Sequence, residues 1–476
     1  MKGTILAARD LGELWLAVQE GPRTAELSVL PGDASFGIGA IYKGKVARLE
    51  RPGGAAFVDV GPAESLFVPR PRDPRSQVPW VAGDDVLVQI TREGEGRKGR
   101  RGDARLTIAG TALVLSPHRE RLRVSSRIDE PEERQRLATL LEKLRPREHG
   151  LIARTAAEGA DEDGLREELA GLLARWQAAV ARAADAPAPT LILPADPPAV
   201  SFVRDRLCRG IDAVLVEDPR DHDQLARLVA SSPGKRSIAV RRHAGPLSIV
   251  DAYRLDRAAG AALSPEVELE GGGRLVIQTT EAMTTVDVDS GAGAGATAAK
   301  RDALAIDLAA AAEIARQIRL RNLAGTIAID FIGVDDAAQR AAIDRVLDDA
   351  LEADRAKTET MPVSVSGVGL VTRQRRWPPL AGPLTQPCST CRGGGFVPTS
   401  ATRARRLLRE LRRLARPDPS GRFRVRAPAA VLDDARGLLE TLGAAAGLPP
   451  ASRVAWEPGS ESVAGIGRPG DDPAGA

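Results

Sequence analysis

The 476-residue chain has few cysteines and histidines and no long apolar run. Its three cysteines, Cys208, Cys388 and Cys391, are too few for a disulfide framework and are typical of a reducing compartment. No apolar run approaches the roughly 18 residues that a transmembrane helix needs. The opening residues, MKGTILAARDLGELWLAV, also lack the sustained apolar segment of an export signal. We therefore expect a cytoplasmic protein without a transmembrane segment.

Two of the cysteines form a CxxC pair in the stretch PCSTCRGGG. A structural zinc ion takes four nitrogen or sulfur ligands, and this stretch supplies only Cys388 and Cys391. Completing the site within one chain would require Cys208, a distant histidine or a carboxylate, whereas a second chain could supply the same pair again. A redox CxxC usually starts a helix after a strand, but here a proline and three glycines flank the pair. The pattern favours half of a shared zinc site over a redox pair or an idle turn.

Positive charge is clustered, although the net charge of the whole chain is only +3. Between Arg403 and Arg416 seven arginines stand against a single acid, Glu410. Three more arginines precede the cysteines, within residues 373–376. Such a cluster can pair with the phosphates of a nucleic acid, and a solvated helix face would have a similar composition.

Residues 38–117 contain short strand patterns separated by turn residues, which is typical of a small barrel. In the strand AAFVDVG the period of two places three aliphatic side chains on the core face: Ala56, Val58 and Val60. Phe57 then lies on the more polar face, where an aromatic ring can stack on a base. Phe67 and the basic segment around Lys98 could complete such a surface, although a barrel phenylalanine more often belongs to the core.

The middle of the chain is helical in pattern, and a proline-rich segment at residues 186–200 predicts a boundary. Before it, the short apolar run GLIARTAA contains Arg154 and Thr155. A guanidinium beside a hydroxyl can hold a terminal phosphate, and an ordinary surface position would explain the same residue types.

Carboxylates occur near the ends of two strand patterns. The segment RLVIQTTEAMTTVDVDSG contains Asp287 and Asp289, and after an alanine-rich helix the strand GTIAIDFIGV contains Asp330. Strand, helix and strand in this order predict a crossover between parallel strands, with the carboxylates near the strands' C-terminal ends. An aspartate inside TIAIDFI is costly to bury unless it is paired or binds a metal, and Mg²⁺ is held by one or two carboxylates. A metal site and an aspartate bonded to nearby backbone both fit this pattern.

Several segments, in this order, resemble the RNase E/G family of bacterial endoribonucleases: IYKGKVARLE with AAFVDVG, GLIARTAAEGA, TTEAMTTVDVDSG, EIARQIRLRNLAGTIAIDFI and CSTCRGGG. The resemblance covers nearly the whole chain and implies an α/β multidomain fold. The implied parts are an RNase H-like domain (1–36 and 190–273), an OB-type RNA-binding barrel (37–118), a 5′-end sensor region (119–189), a DNase I-like catalytic domain (274–383), a zinc link (384–397), a small α+β domain (398–456) and a disordered tail (457–476).

The resemblance also implies a Mg²⁺-dependent endoribonuclease that acts in RNA processing and decay, cleaves single-stranded RNA and leaves a 5′ phosphate. Asp287 and Asp330 match the family's two metal-binding aspartates. Asp289, which we include among the catalytic candidates, stands where the family usually has Asn. Cys388 and Cys391 match half of a zinc site shared between two chains, which implies a homodimer or homotetramer.

RNA contacts are implied at two further places. Phe57, Phe67 and Lys98 match the RNA-binding positions of the family's barrel, and Arg154 and Thr155 match its pocket for a 5′ monophosphate. A non-catalytic RNA-binding paralogue, assembled through the shared zinc, is the alternative function.

The chain departs from the family at some positions. Ser126 replaces one of two consecutive arginines in the sensor region, and Gln278 and Gly333 occupy positions that are commonly acidic. Both metal aspartates are kept, so we expect the departures to affect the rate and the 5′-end preference. The chain ends soon after the catalytic half, which predicts no long scaffold tail that would recruit a degradosome.

Overall fold

The computed structural model describes residues 3–32, 37–50, 54–61, 64–69, 80–94, 99–117, 119–207, 210–233, 238–291, 299–332, 336–388, 390–391, 393, 395, 397–418, 420–459 and 465–467. The chain divides into two compact units, Met1–Leu384 and Thr385–Ala476. Within the described residues, no helix is both long enough and apolar enough to cross a membrane.

The first unit mixes strands and helices. Its strands are β1 (Gly3–Asp10), β2 (Glu13–Glu20), β3 (Arg23–Pro31), β4 (Ile41–Leu49), β5 (Ala56–Gly61), β6 (Glu64–Val68), β7 (Asp85–Arg92), β8 (Arg101–Asp103), β9 (Ile108–Ala109), β10 (Leu113–Pro117), β11 (Leu122–Val124), β12 (His149–Ala153), β13 (Thr190–Leu193), β14 (Ile211–Val216), β15 (Ala239–Arg242), β16 (Glu266–Glu268), β17 (Arg274–Thr279), β18 (Met283–Asp289), β19 (Gly325–Asp330), β20 (Thr358–Met361) and β21 (Val368–Arg373). Its helices are α1 (Pro131–Leu144), α2 (Glu162–Asp185), α3 (Pro198–Arg204), α4 (Pro219–Ala230), α5 (Ile249–Ala252), α6 (Leu255–Leu263), α7 (Ala299–Leu320), α8 (Ala337–Leu351) and α9 (Ala381–Leu384).

One sheet joins two distant parts of the chain, in the order β15-β14-β1-β2-β3. Strand β1 pairs in parallel with β14 and antiparallel with β2. Apolar side chains fill both faces, with α3 and α4 packed on one side and α5, α6 and the end of α7 on the other. Burial on both faces explains why these strands are almost continuously apolar rather than alternating.

The predicted barrel is present and is closed by five strands, in the order β4-β5-β6-β8-β7 with β7 pairing back to β4. Ala56, Val58 and Val60 point into its core, as the period of two in β5 predicts. Glycine is required at Gly44 of β4, because a Cβ there would lie 2.7 Å from the carbonyl oxygen of Asp59. A further small sheet, β11-β12-β10-β9, packs its core against α1 and α2.

The sheet that carries the aspartates has the order β16-β17-β18-β19-β21-β20. One of its faces is buried under α7 and α8, through a core that includes Val286, Ile329 and Ile314. Strands β18 and β19 pair in parallel, as the strand-helix-strand pattern predicts. The opposite face carries the exposed residues of these strands.

Helix α7 is anchored to the first sheet by a buried ion-pair network. Glu26 of β3 binds Arg206, with a distance of 2.7 Å, and Arg319 of α7, with a distance of 3.1 Å. Burial raises the pKa of Glu26, but the two guanidinium groups outweigh burial and hold the pKa at about 2. This ion-pair network therefore stabilises the fold at pH values above the ordinary carboxyl pKa. Its contribution to stability is lost as the pH falls towards 2.

The second unit contains α10 (Ser400–Ala415), β22 (Phe423–Ala427), α11 (Ala429–Leu442), β23 (Val454–Pro458) and β24 (Gly465–Gly467). The two helices pack against a sheet of order β23-β22-β24. The prediction of a disordered tail from residue 457 is wrong in part. Strand β23 continues to Pro458, and Gly465–Gly467 pairs antiparallel with β22, because this short sheet has an edge that a further strand can occupy.

Candidate functional site

Asp287 and Asp330 lie side by side on neighbouring strands. Asp287 pairs directly with Asp330 in the parallel register of β18 and β19, and paired strands lie about 4.8 Å apart. Val286 and Ile329, one position earlier on each strand, point into the core, so both carboxylates project from the opposite, exposed face. Asp330 is thus exposed, although it lies inside the apolar segment TIAIDFI. Alternation along β19 explains this, because every second residue of a strand points away from the core.

The aspartate pair differs from the neighbouring Asp289 in its partners. Within the described part of the chain, Asp287 and Asp330 have no hydrogen-bond or ion-pair partner, whereas the neighbouring Asp289 does. Two adjacent negative charges without a partner repel each other, and this repulsion is relieved when a cation binds between them. The arrangement therefore fits a divalent cation that takes two carboxylates from the protein.

Asp289 is in a different situation from the pair. Its Oδ2 accepts hydrogen bonds from Nη2 and Nε of Arg274, at 2.9 and 3.1 Å, and its Oδ1 accepts one from the backbone N–H of Gly291. The hydrogen bond from Gly291 lowers the pKa of Asp289 most, and the hydrogen bonds from Arg274 lower it further. Arg274 lies opposite Asp289 in the register of β17 and β18, so its guanidinium offsets the charge of this third carboxylate.

Asp307 is a buried carboxylate that our sequence analysis missed. It lies in α7 and is 1% exposed. Its Oδ1 accepts a hydrogen bond from the backbone N–H of Ile332, two residues after Asp330, at 3.1 Å. Its Oδ2 is buried and has no hydrogen-bond partner among the residues that the structure describes. Burial raises the pKa of Asp307 to about 6, against the opposing effect of the bond from Ile332. The signal was an acid in the otherwise apolar stretch AIDLAAAA.

The barrel presents an aromatic pair on its outer face. Phe57 and Phe67 pair across β5 and β6, with ring centroids 5.5 Å apart and ring planes at 65°. Both rings are half-buried, and the Cζ of Arg48 lies 4.1 Å from the centroid of Phe57. Lys98, the third predicted RNA-binding residue, lies outside the described residues. Two aromatic rings beside a guanidinium are a surface on which unstacked bases can stack.

Arg154 is largely buried and already paired. Its Nη2 donates to Asp205 at 2.5 Å and its Nη1 donates to the carbonyl oxygen of Gly110 at 2.8 Å. Burial raises the pKa of Asp205, but Arg154, Arg204 and Arg376 outweigh burial and hold it at about 2. The guanidinium of Arg154 therefore has a permanent anionic partner 51 residues away in the chain.

Thr155 borders a cavity of about 840 Å³. Its hydroxyl lies 3.2 Å from that of Ser125. The cavity wall includes charged and polar residues from two parts of the first unit: Ser126, Arg127, Glu158, Arg355 and Lys357. Thr155 and Ser126, both singled out in the sequence, line this wall together with Arg355 and Lys357, which no local sequence pattern connects to Thr155.

The two cysteines of the CxxC pair lie in a tight turn of the second unit. Cys388 is exposed and Cys391 is partly exposed, and both are free thiols. The backbone N–H groups of Cys391 and Thr390 donate to the sulfur of Cys388 and lower its pKa. Such N–H donors favour a thiolate, which is the form that binds metal. In the described part of the chain, no three His, Cys, Asp or Glu residues are grouped so that they could hold a metal.

Sequence comparison finds relatives along most of the chain. The profile of the Ribonuclease E/G family matches residues 107–376. Ribonuclease E of Haemophilus influenzae is 31% identical over 426 residues, which cover 86% of this chain and 46% of that protein. Ribonuclease G of Salmonella typhimurium is 32% identical over 418 residues, or 84% of this chain and 85% of that protein. Ribonuclease G of Escherichia coli is 31% identical over 418 residues, which again cover 84% of this chain and 85% of that protein.

The matches differ in how much of each relative they cover. The aligned region is less than half of Ribonuclease E of Haemophilus influenzae and most of the two Ribonuclease G proteins. The family profile spans Asp287 and Asp330, as well as Arg154 and Thr155. On these matches, the chain belongs to the Ribonuclease E/G family.

Proposed function

We propose that this protein is a Mg²⁺-dependent endoribonuclease that cleaves single-stranded RNA in RNA processing and decay and leaves a 5′ phosphate. The observation that carries the proposal is the register of Asp287 and Asp330, which face the same side of the sheet without a partner among the described residues. The names of the relatives, Ribonuclease E and Ribonuclease G, support it.

The donor set fits the proposed ion. Mg²⁺ binds through one or two carboxylates and leaves its other positions to water and phosphate oxygens, and Asp287 with Asp330 is such a set. Bound there, Mg²⁺ supplies a Lewis acid for a phosphoryl oxygen and lowers the pKa of a coordinated water. Asp307 holds the backbone just after Asp330 through Ile332, and so fixes the direction of one ligand. Asp289, a catalytic candidate in the sequence, acts in this proposal only through its charge, because Arg274 holds its carboxylate.

The aromatic pair of the barrel is the proposed binding surface for RNA. Stacking of a base on Phe57 or Phe67 contributes about 1–3 kcal/mol without selecting a sequence, and Arg48 adds a positive charge beside the stack. Lys98 belongs to this surface by resemblance. Bases held on the barrel leave the phosphodiester backbone free to reach the aspartate pair.

The CxxC turn is the proposed link between two chains. One turn gives two thiolates, and a tetrahedral zinc site needs four ligands, so a second copy of the chain completes it. We extend the proposal to a homodimer or homotetramer in the cytoplasm, with the RNase H-like, OB-type, sensor and DNase I-like domains that the resemblance implies.

Incubation of the purified protein with a single-stranded, AU-rich oligonucleotide tests the function. We expect internal cleavage in Mg²⁺, 5′-phosphate ends on the downstream products, and no cleavage in EDTA. RNA binding without cleavage of any single-stranded RNA in Mg²⁺ would instead identify a non-catalytic RNA-binding paralogue.

We expect only a weak preference for RNA with a 5′ monophosphate. Arg154 is already neutralised by Asp205, and Ser126 carries no positive charge. The cations in the wall of the cavity beside Thr155, among them Arg355 and Lys357, stand together with acids such as Glu158. Cleavage rates of matched 5′-monophosphate and 5′-hydroxyl oligonucleotides should therefore differ by a few-fold at most. A strong preference that Thr155→Val abolishes, while Thr139→Val on the exposed face of α1 has no effect, would contradict this expectation.

A further inference from the structure

Helix α10 of the second unit has one apolar and one strongly basic side. Its apolar residues pack into the core formed with α11 and β22: Ala404, Leu407, Leu408, Leu411 and Ala415. This packing leaves the other side of the helix to solvent. An amphipathic helix that inserts into a membrane needs a free apolar face, and the apolar face of α10 is buried within its own domain.

Six exposed arginines share one side of this helix. At about 100° per residue they fall within a sector of about 120°, away from the buried face. They are Arg405, Arg406, Arg409, Arg412, Arg413 and Arg416, called the arginine face below. The one acid of the helix, Glu410, lies on the flank of this sector. Solvation alone does not require such segregation, because a solvated helix face ordinarily mixes charges of both signs.

The arginine face is not compensated within the described chain. The side chains of Arg405, Arg406, Arg409, Arg413 and Arg416 have no hydrogen-bond or ion-pair partner among the described residues, and Arg412 has only the carbonyl oxygen of Ala446, at 3.3 Å. The helix dipole favours cations in the last turn alone. Like charges three and four residues apart destabilise the helix, so an external anion would stabilise it.

We propose that the arginine face of α10 is a second RNA-binding surface, which binds the phosphate backbone of RNA outside the segment that is cleaved. The inference rests on the proposed function, in which RNA is the substrate. Guanidinium groups bind phosphates through paired hydrogen bonds. The 16-residue helix is about 24 Å long, so it can follow several consecutive phosphates. It carries no aromatic residue for stacking, and the surface therefore binds without sequence preference.

The test compares two variants of the full-length chain that lose equal charge. One changes Arg405, Arg406, Arg409 and Arg413 to Gln, which keeps helix propensity. The matched control changes four exposed arginines of the first unit to Gln: Arg220, Arg241, Arg242 and Arg257. Each protein is mixed with a single-stranded RNA of about ten nucleotides, within the footprint of one barrel, and with the same segment extended on both sides. Affinity is measured at several salt concentrations, and cleavage is measured in parallel.

The α10 variant should bind the extended RNA at least about tenfold more weakly than the parent. The slope of log affinity against log salt should become shallower, by about 2 to 3 in magnitude. Its cleavage of the short RNA should equal that of the parent. Equal losses of RNA affinity in the α10 variant and the control would overturn the proposal. So would an α10 variant with a changed oligomeric state and unchanged RNA affinity, which would assign the arginine face to protein contacts. If the parent cleaves no RNA and the α10 variant alone loses affinity, the proposed catalysis fails and the binding surface stands.

Discussion

Asp287→Asn and Asp330→Asn are each expected to lower the rate of Mg²⁺-dependent RNA cleavage by about a thousandfold or more. Each change keeps the size of the side chain and removes one of two negative charges that face the same point of the sheet. Metal affinity and the stabilisation of charge on the phosphate then fall together. RNA binding should change little, because the proposed contacts lie on the barrel. Cleavage is measured with a single-stranded oligonucleotide, and affinity is measured with the same RNA in EDTA.

Two other Asp→Asn changes make this comparison specific. Asp212→Asn removes an exposed carboxylate of β14 in a different sheet and should leave cleavage unchanged. Asp289→Asn lies two residues from Asp287, but its carboxylate is held by Arg274, so we expect activity to be kept or raised. Thermal unfolding of all four variants shows whether the fold is intact. Parental cleavage rates in both Asp287→Asn and Asp330→Asn would refute the enzyme hypothesis.

The meeting of these two aspartates could be predicted from the sequence because two simple rules decide it. The order strand, helix, strand makes the strands parallel, and the position of each acid in its strand sets its level along the sheet. The same kind of rule predicted the core face of β5 and left Phe57 outside the barrel. What these rules did not give was exposure: the apolar neighbours of Asp330 suggested burial, although alternation alone places it on the open face.

The ion pairs that adjust the site could not be predicted in this way. Arg154 and Asp205 are 51 residues apart, and no period or motif connects them. Arg274 meets Asp289 only through the register of β17 and β18, which depends on the length of the connecting turn. Asp307 contacts Ile332 through packing of α7 against the sheet. Motifs identify chemical groups, whereas tertiary packing decides which of those groups remain free to bind a ligand.

Cys388→Ser and Cys391→Ser are each expected to remove zinc and to dissociate the oligomer. In a shared site each chain supplies two of the four ligands. When both chains carry the substitution, only two thiolates remain for the zinc ion. Structural zinc sites contribute about 10–16 kcal/mol, which is enough to hold two chains together at cellular concentrations. Native mass spectrometry should show one zinc per two parent chains, and monomers without zinc for either variant.

Cys208→Ser is the matched control, since Cys208 is the third cysteine of the chain and the other thiol that could complete a site within one chain. We expect it to keep both the zinc and the oligomer. If it loses zinc, or if the parent holds one zinc per chain, the site is intrachain and the two-chain link fails. The N–H groups of Thr390 and Cys391 that point to Cys388 belong to the turn itself, so they favour a thiolate in either arrangement. The zinc stoichiometry and the Cys208→Ser control separate the two arrangements, because one turn offers the same two ligands to a second copy of the chain or to a distant thiol.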